Sequence, residues 1–279
     1  LTFRTRFAPS PTGPLHIGHA YSAIVAHDMA KVHRGSFLLR MEDTDLQRSK
    51  AKWDAQIIED LTWLGLSWEE PVQRQAEQLS SYDPALNQLS ALGLLYPCSC
   101  SRADIRAAMA APQEGVEHDV YPGTCKQRLM SDRQTGDALR LHLDRALALL
   151  HGKNISFTET GETHKGTHHL NAEQALETIG DVVLSRKGEE IIAYFLASAL
   201  DDVAQGITHV VRGEDLFDFT QIQVILLALL DLPIPVYHHH GLIRDDAGKR
   251  LAKRDDARAI AKYREDGATP ADIRAIIGL

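Results

Sequence analysis

The segment from Thr5 to Met41 constrains the fold more than any other part of the chain. Thr5 to Ala8 reads as a short strand that runs into a loop rich in Pro and Gly, Pro9-Ser10-Pro11-Thr12-Gly13-Pro14. Apolar residues then recur at helical spacing, at Ile17, Tyr21, Ile24 and Val25. After Gly35 the run Ser36-Phe37-Leu38-Leu39-Arg40-Met41 has the length and composition of a second strand. Strand, helix, strand in this order is a β-α-β unit with a parallel pair. Parallel sheets carry helices on both faces, so an α/β fold is expected.

At roughly 150 residues per domain, the 279 residues make about two domains, or one large α/β domain with an insertion. Apolar residues amount to 44% and charged residues to 24%, which excludes disordered, collagen-like and disulfide-scaffold chains. The longest purely apolar runs, Ile191 to Ala197 and Val224 to Leu230, have seven residues each. A membrane helix needs about 20, so no membrane partner is expected. Acidic residues outnumber basic ones by 38 to 30, for a formal charge of −8, which argues against a protein that coats nucleic acid by bulk charge and leaves room for a local basic groove. Three cysteines, two of them in Cys98-Ser99-Cys100, cannot build a disulfide framework. They point to a reducing compartment or a metal, with the cytoplasm as the expected location. The start at Leu1 shows no charged-then-apolar signal segment.

Helices are expected from about Lys50 to Leu64 and from Gln75 to Leu92, with a turn at Trp68 to Pro71 between them. Composition changes near Tyr96, and the alternation Ala138-Leu139-Arg140-Leu141-His142-Leu143 suggests antiparallel strands. From Ile179 buried strand and helix patterns return: Asp181 to Leu184, Ile191 to Ala204, a strand at Ile207 to Val211 and an apolar helix from Phe219 to Leu230. The expected organisation is therefore a first α/β half over residues 1–95, an inserted module over 96–178 and a second α/β half over 179–279.

His16-Ile17-Gly18-His19 lies where the first strand hands over to a helix. Unpaired backbone N–H groups and the helix dipole favour an anion there. His16 and His19 share a helix face and can both donate to phosphoryl oxygens, while Gly18 leaves room for a flat base. Alone, such a tetrapeptide is equally a helix cap with two solvated histidines.

Its flanks decide between the two. RFAPSPTGPLHIGHA, Arg6 to Ala20, followed by LRMEDTD, Leu39 to Asp45, resembles the catalytic core of the class I glutamyl-tRNA synthetases in motif order and spacing. The resemblance runs from Arg6 to about Arg258. It implies a Rossmann-type parallel sheet with an inserted zinc-containing module, ATP with Mg²⁺, and L-glutamate as substrate. Downstream, Gly248-Lys249-Arg250-Leu251-Ala252-Lys253-Arg254 resembles the family's KMSKS loop, with Arg250 where Lys is usual and Ala252 where Ser is usual. By this resemblance His16, His19 and Lys253 are catalytic, and His16, Gly18, His19 and Lys253 bind ATP. Arg6, Ser10, Glu42, Tyr194 and Arg212 would surround glutamate, the two arginines as carboxylate forks and Glu42 at the α-ammonium. Two guanidiniums favour the acid over the amide, since an amide would leave one of them unpaired.

Cys98, Cys100 and Cys125 offer three thiols, and zinc wants four ligands. Gln127 stands where full-length family members usually have a closing His. Tyr121 to Cys125 matches the Y-x-x-x-C arrangement of shorter relatives, so Tyr121 is the expected fourth ligand and His118 its competitor. His238-His239-His240 is not a metal site, because consecutive strand residues point to opposite faces.

The resemblance lacks the family's anticodon-gripping helical domain. The free-standing group, the glutamyl-queuosine tRNA(Asp) synthetases, has only the catalytic half, and the Tyr-containing metal pattern and Leu216 fit that group. Phe195, where both groups commonly have Asn, fits neither. The implied partners are ATP, L-glutamate and tRNA(Asp) bearing queuosine, with the chain as a monomer. The alternatives are a catalytic fragment charging tRNA(Glu), and a non-catalytic glutamate- or nucleotide-binding module, which would show no pyrophosphate exchange.

Overall fold

The computed structural model describes residues 2–101, 103–105, 120–186, 192–243 and 258–279. Strand β1 (Arg4–Phe7) pairs in parallel with β2 (Ser36–Met41), and helix α1 (Ile17–Val32) crosses between them. His16 caps α1, its side chain accepting from the Gly18 N–H. The helix ends where Arg34 takes a positive φ of 52° and the Gly35 N–H closes back on the Ala30 carbonyl at 2.8 Å.

The expected turn at Trp68 to Pro71 is instead the start of β3 (Glu69–Arg74), the third parallel strand, beside β2. It is an edge strand, where proline and exposed charges are tolerated, and for that reason its sequence lacks an apolar signature. The expected helix from Gln75 is two short 3₁₀ turns followed by α2's successor, α3 (Asp83–Ala91), with α2 itself spanning Ala51–Trp63. Pro84 fits only the first turn of α3, which sets its start.

The alternating segment forms β5 (Ala138–Leu141), antiparallel to both β4 (Leu95–Cys98) and β8 (Val183–Ser185). The other sheet has the order β7-β6-β10-β9, made of β6 (Ser156–Glu159), β7 (Gly166–His169), β9 (His209–Gly213) and β10 (Val236–His240). Its edge lies along β1, where the Thr208 N–H donates to the Arg4 carbonyl at 3.0 Å and the Arg4 N–H to Thr208 Oγ1 at 2.8 Å. These pairings cross the expected division at residue 178. Strands β6 and β7 from the 96–178 range join the sheet of the second half, and β8 from beyond it joins the sheet of the insertion. Two adjoining apolar cores hold the layers together, one around Ile17, Ile24, Leu39 and Leu61, the other around Leu141, Ile225, Leu226 and Tyr237. Among the described residues no helix is long and apolar enough to cross a membrane.

Candidate active site

A cleft of about 600 Å³ opens where β1, β2, β9 and β10 end. In parallel α/β sheets, ligands bind beyond the carboxyl ends of the strands, at the point where the strand order reverses; here that is the junction of β1 and β9. Arg6, Ser10, His16, Gly18, His19, Glu42, Tyr194 and Arg212 all line this cleft, so the structure brings together every described residue that the sequence points to for amino acid and nucleotide. Lys253, with Lys249, Arg250 and Ala252, lies outside the described residues, as does His118. The chain on either side of that segment is at the cleft: Ile243 lines it, and Ala259 forms an antiparallel bridge with His16.

The two loop histidines are stacked, with ring centroids 3.7 Å apart. His16 Nδ1 accepts from the Gly18 N–H at 3.1 Å, and His19 Nδ1 accepts from the His16 N–H at 3.2 Å. With both Nδ1 atoms accepting, each neutral ring carries its proton on Nε2. The two rings thus cap the first-turn N–H groups of α1 and carry their own N–H on Nε2, at the positive end of a helix dipole that favours an anion.

Arg6 is buried and gripped by Asp202, Nε to Oδ1 at 2.8 Å and Nη2 to Oδ2 at 3.1 Å. Asp202 also accepts from Arg40 Nη1 at 2.8 Å, and Arg40 reaches Glu42 at 3.4 Å. Burial alone would raise the pKa of Asp202, but Arg6 and Arg40 pull it below the ordinary carboxylate value. Glu42 is pushed up to about 7 by burial, which Arg40 and Arg6 offset only in part.

Arg212 is buried among other partners. Its Nε donates to His239 Nε2 at 3.0 Å, Nη1 to Gln223 Oε1 at 2.7 Å and Nη2 to Thr220 Oγ1 at 2.8 Å. Gln223 in turn donates to Ser198 Oγ at 2.7 Å, and Ser198 to the Tyr194 carbonyl at 2.6 Å. Both guanidiniums therefore already have protein partners. Arg6 is neutralised by Asp202. Among the described residues Arg212 is held by uncharged groups, so the described part of the cleft offers an acidic substrate the charge of Arg212.

Arg40, Asp202, Glu159 and His239 were missed in the sequence. The available signals were an Arg inside the apolar run Phe37 to Met41, an acidic pair Asp201-Asp202 inside an apolar helix (Tyr194–Ala204), and His239 flanked by two further histidines. The expected alternation of that triplet is seen: His239 turns to Arg212, whereas His240 lines the cleft with its Nε2 2.7 Å from Ser22 Oγ.

Away from the cleft, Cys98, Cys100 and Cys125 bring their sulfurs within 4.8 Å of one another. The Tyr121 hydroxyl lies 3.4 Å from Cys98 Sγ and 3.4 Å from Cys100 Sγ, and Cys100 Sγ is 3.5 Å from Cys125 Sγ. Ligands at zinc–sulfur distances of about 2.3 Å in a tetrahedron stand about 3.8 Å apart. Three sulfurs and a phenol oxygen at these separations fit that ion. The Arg140 guanidinium packs 3.6 Å from the Tyr121 ring centroid, while burial and the neighbouring thiols hold the Tyr121 hydroxyl above the ordinary tyrosine value, so a phenolate there would need the charge of the ion.

The family model described as tRNA synthetases class I (E and Q), catalytic domain, matches residues 2–279. The Glutamyl-Q tRNA(Asp) synthetase of Rhodobacter capsulatus is 54% identical over 282 residues, covering 99% of each chain. The Glutamate--tRNA ligase 1 of Halorhodospira halophila is 34% identical over 97% of this chain but 57% of its own length. A crystal structure of a glutamate tRNA ligase from Elizabethkingia meningosepticum, in complex with its amino acid, superposes with a TM-score of 0.77 at 26% identity, over 99% of this chain and 60% of that one. With the described residues of the family motifs at one cleft and the family model matched along the chain, the protein belongs to the class I tRNA synthetase (E and Q) catalytic-domain family and is a ligase of the aminoacyl-tRNA synthetase type.

Proposed function

We propose that the chain activates L-glutamate with ATP to glutamyl-adenylate and transfers the glutamyl group to queuosine at the wobble position of tRNA(Asp). The observation that carries this reading is the cleft itself, where the His16–His19 helix terminus faces Arg6, Glu42, Tyr194 and Arg212 across one cavity. A relative named for that reaction, matched along 99% of both chains, supports the choice of acceptor.

In the first step a glutamate α-carboxylate oxygen attacks the α-phosphorus of ATP in line, and pyrophosphate leaves with Mg²⁺ on its oxygens. His16, His19 and Lys253 stabilise the charge that develops, so catalysis rests on positioning and preorganised donors. Glu42 receives the α-ammonium, and Arg212 supplies the positive charge for a substrate carboxylate. Arg6, already paired, contributes the N–H groups that Asp202 leaves over. Ser10 and Tyr194 close the rim. In the second step a hydroxyl of the queuosine cyclopentenediol attacks the adenylate carbonyl, and AMP leaves. One structural Zn²⁺ bound by Cys98, Cys100, Tyr121 and Cys125 holds the insertion together.

The test is glutamate transfer followed by gel shift or mass spectrometry on tRNA(Asp) with and without queuosine and on tRNA(Glu). Loading of queuosine-containing tRNA(Asp) alone is expected. Equal loading of tRNA(Glu) would establish the tRNA(Glu)-charging alternative instead.

A further inference from the structure

Behind Arg212 lies a buried row of side chains that the reaction scheme leaves unused. Glu159, at the end of β6, accepts twice through Oε1, from the His239 N–H at 2.9 Å and the Gly161 N–H at 2.5 Å. Its Oε2 faces His239 Nδ1 at 2.5 Å. On the other side of the imidazole, Nε2 accepts from Arg212 Nε at 3.0 Å, with Thr220 Oγ1 3.3 Å away. Phe217 and Tyr237 cover the ring, with centroids at 5.3 Å and 6.0 Å. Gly161 leaves no room for variation, since a Cβ there would stand 2.1 Å from the His239 carbonyl oxygen.

The order of donors fixes the state of the ring. An arginine has only N–H groups to offer, so His239 Nε2 must be a bare acceptor and the proton must sit on Nδ1, facing Glu159. A carboxylate can only accept that proton. Exchanging the tautomer would turn two attractive contacts into an N–H against an N–H and a lone pair against a lone pair. Protonating the ring would set a second cation against Arg212, and burial keeps His239 below the ordinary histidine value.

We propose that Glu159 and His239 are positioning residues that lock the Arg212 guanidinium in the orientation that receives the amino acid carboxylate, with Glu159 enforcing the Nδ1–H tautomer of His239. Burial and the Arg212 guanidinium keep His239 uncharged against the pull of Glu159, so that Arg212 remains the cation seen by an acidic substrate. This rests on the reading of Arg212 as a glutamate-binding residue, and it gives β6 a task at the cleft although its sequence lies in the range of the insertion.

Glu159→Gln separates this role from a merely structural one. The amide keeps an oxygen for the Gly161 and His239 backbone N–H groups, but it places an NH₂ opposite His239 Nδ1 and so reverses the tautomer. In wild-type enzyme, the ¹⁵N side-chain spectrum should show His239 as the Nδ1–H form. In the variant, the KM for glutamate in pyrophosphate exchange should rise about tenfold or more, as for a lost hydrogen bond to a charged group, with the KM for ATP and the Tm within about twofold and a few degrees of wild type. An Nε2–H form in wild-type enzyme, or an unchanged glutamate KM in the variant, would overturn the proposal. The tautomer is read without substrate, so its outcome stands apart from whether glutamate is the amino acid.

Discussion

The carboxyl of Glu42 titrates at about 7, because burial raises it and the guanidiniums of Arg40 and Arg6 return only part of the shift. To hold the α-ammonium of an amino acid it must be ionised. A group with a pKa of about 7 is about 90% ionised at pH 8 and about 9% at pH 6, so kcat/KM for glutamate should fall about tenfold between these values. At saturating glutamate the bound ammonium itself keeps the carboxylate charged, so kcat should change little. The assay is pyrophosphate exchange with ATP and Mg²⁺ saturating, across this pH range, on wild type and Glu42→Gln. The variant should be weak at pH 8 and should lack the step. The linkage to stability has the opposite sense. The folded-state pKa lies above the ordinary glutamate value of 4.5, so this group's stabilising contribution is complete below about 4.5 and is lost as pH rises through about 7. Ionising Glu42 therefore costs the fold up to about 3 kcal/mol, and the substrate ammonium is what restores that loss. A kcat/KM for glutamate that is flat from pH 8 to pH 6, or a step that persists in Glu42→Gln, would refute the reasoning.

Metal analysis of purified protein should find about one zinc per chain, and less than about half an equivalent would sink the site; Tyr121→Phe, which keeps three thiolates, should lose its metal to a chelator faster than wild type. Lys253→Ala should slow activation by about 10²–10³-fold with modest change in glutamate affinity, as expected of a group acting in the transition state, and a small effect in single-turnover kinetics would show that the downstream loop is misassigned. Asp202→Asn leaves Arg6 and Arg40 buried with their shared carboxylate gone, and denaturant titration should report a loss of about 3–5 kcal/mol. Gly161→Ala should cost about 1–3 kcal/mol by forcing apart backbone that has no slack and should raise the glutamate KM as Glu159→Gln does; an unaltered KM would separate the strand from the site.

What was legible in the sequence follows from how locally each feature is specified. The β1–loop–α1–β2 unit could be read because a Pro- and Gly-rich loop, a capping histidine and two apolar runs lie within one continuous segment. The cleft residues on that unit came with it. Strand β3 was illegible because an edge strand does not need an apolar face, and its Glu69-Glu70-Pro71 start has the composition of a turn. Membership of β6 and β7 in the catalytic sheet was illegible for a different reason: nothing near Ser156 to Glu159 indicates that its partner is β10, some eighty residues on. The buried ion pairs suffer in the same way. Asp202 meets Arg40 across 162 positions and Arg6 across 196, so their complementarity exists only once β1, β2 and the helix Tyr194–Ala204 have been assembled.

That assembly changes the argument about substrate charge. Counting two arginines at the cleft gives two positive charges for an acid to meet, and on that count an amide is rejected because a guanidinium goes unpaired. In the folded protein one of the two already has a carboxylate. Selectivity for the acid then falls on Arg212, and it depends on every direct partner of Arg212 being neutral. Gln223 and Thr220 are neutral by constitution. His239 is neutral because burial and the neighbouring Arg212 outweigh the Glu159 carboxylate, which on its own favours a charged ring. A charge on that ring would repel Arg212 and displace the fork, so in the proposed function a preference for glutamate over glutamine depends as much on what lies behind the arginine as on what lies in front of it.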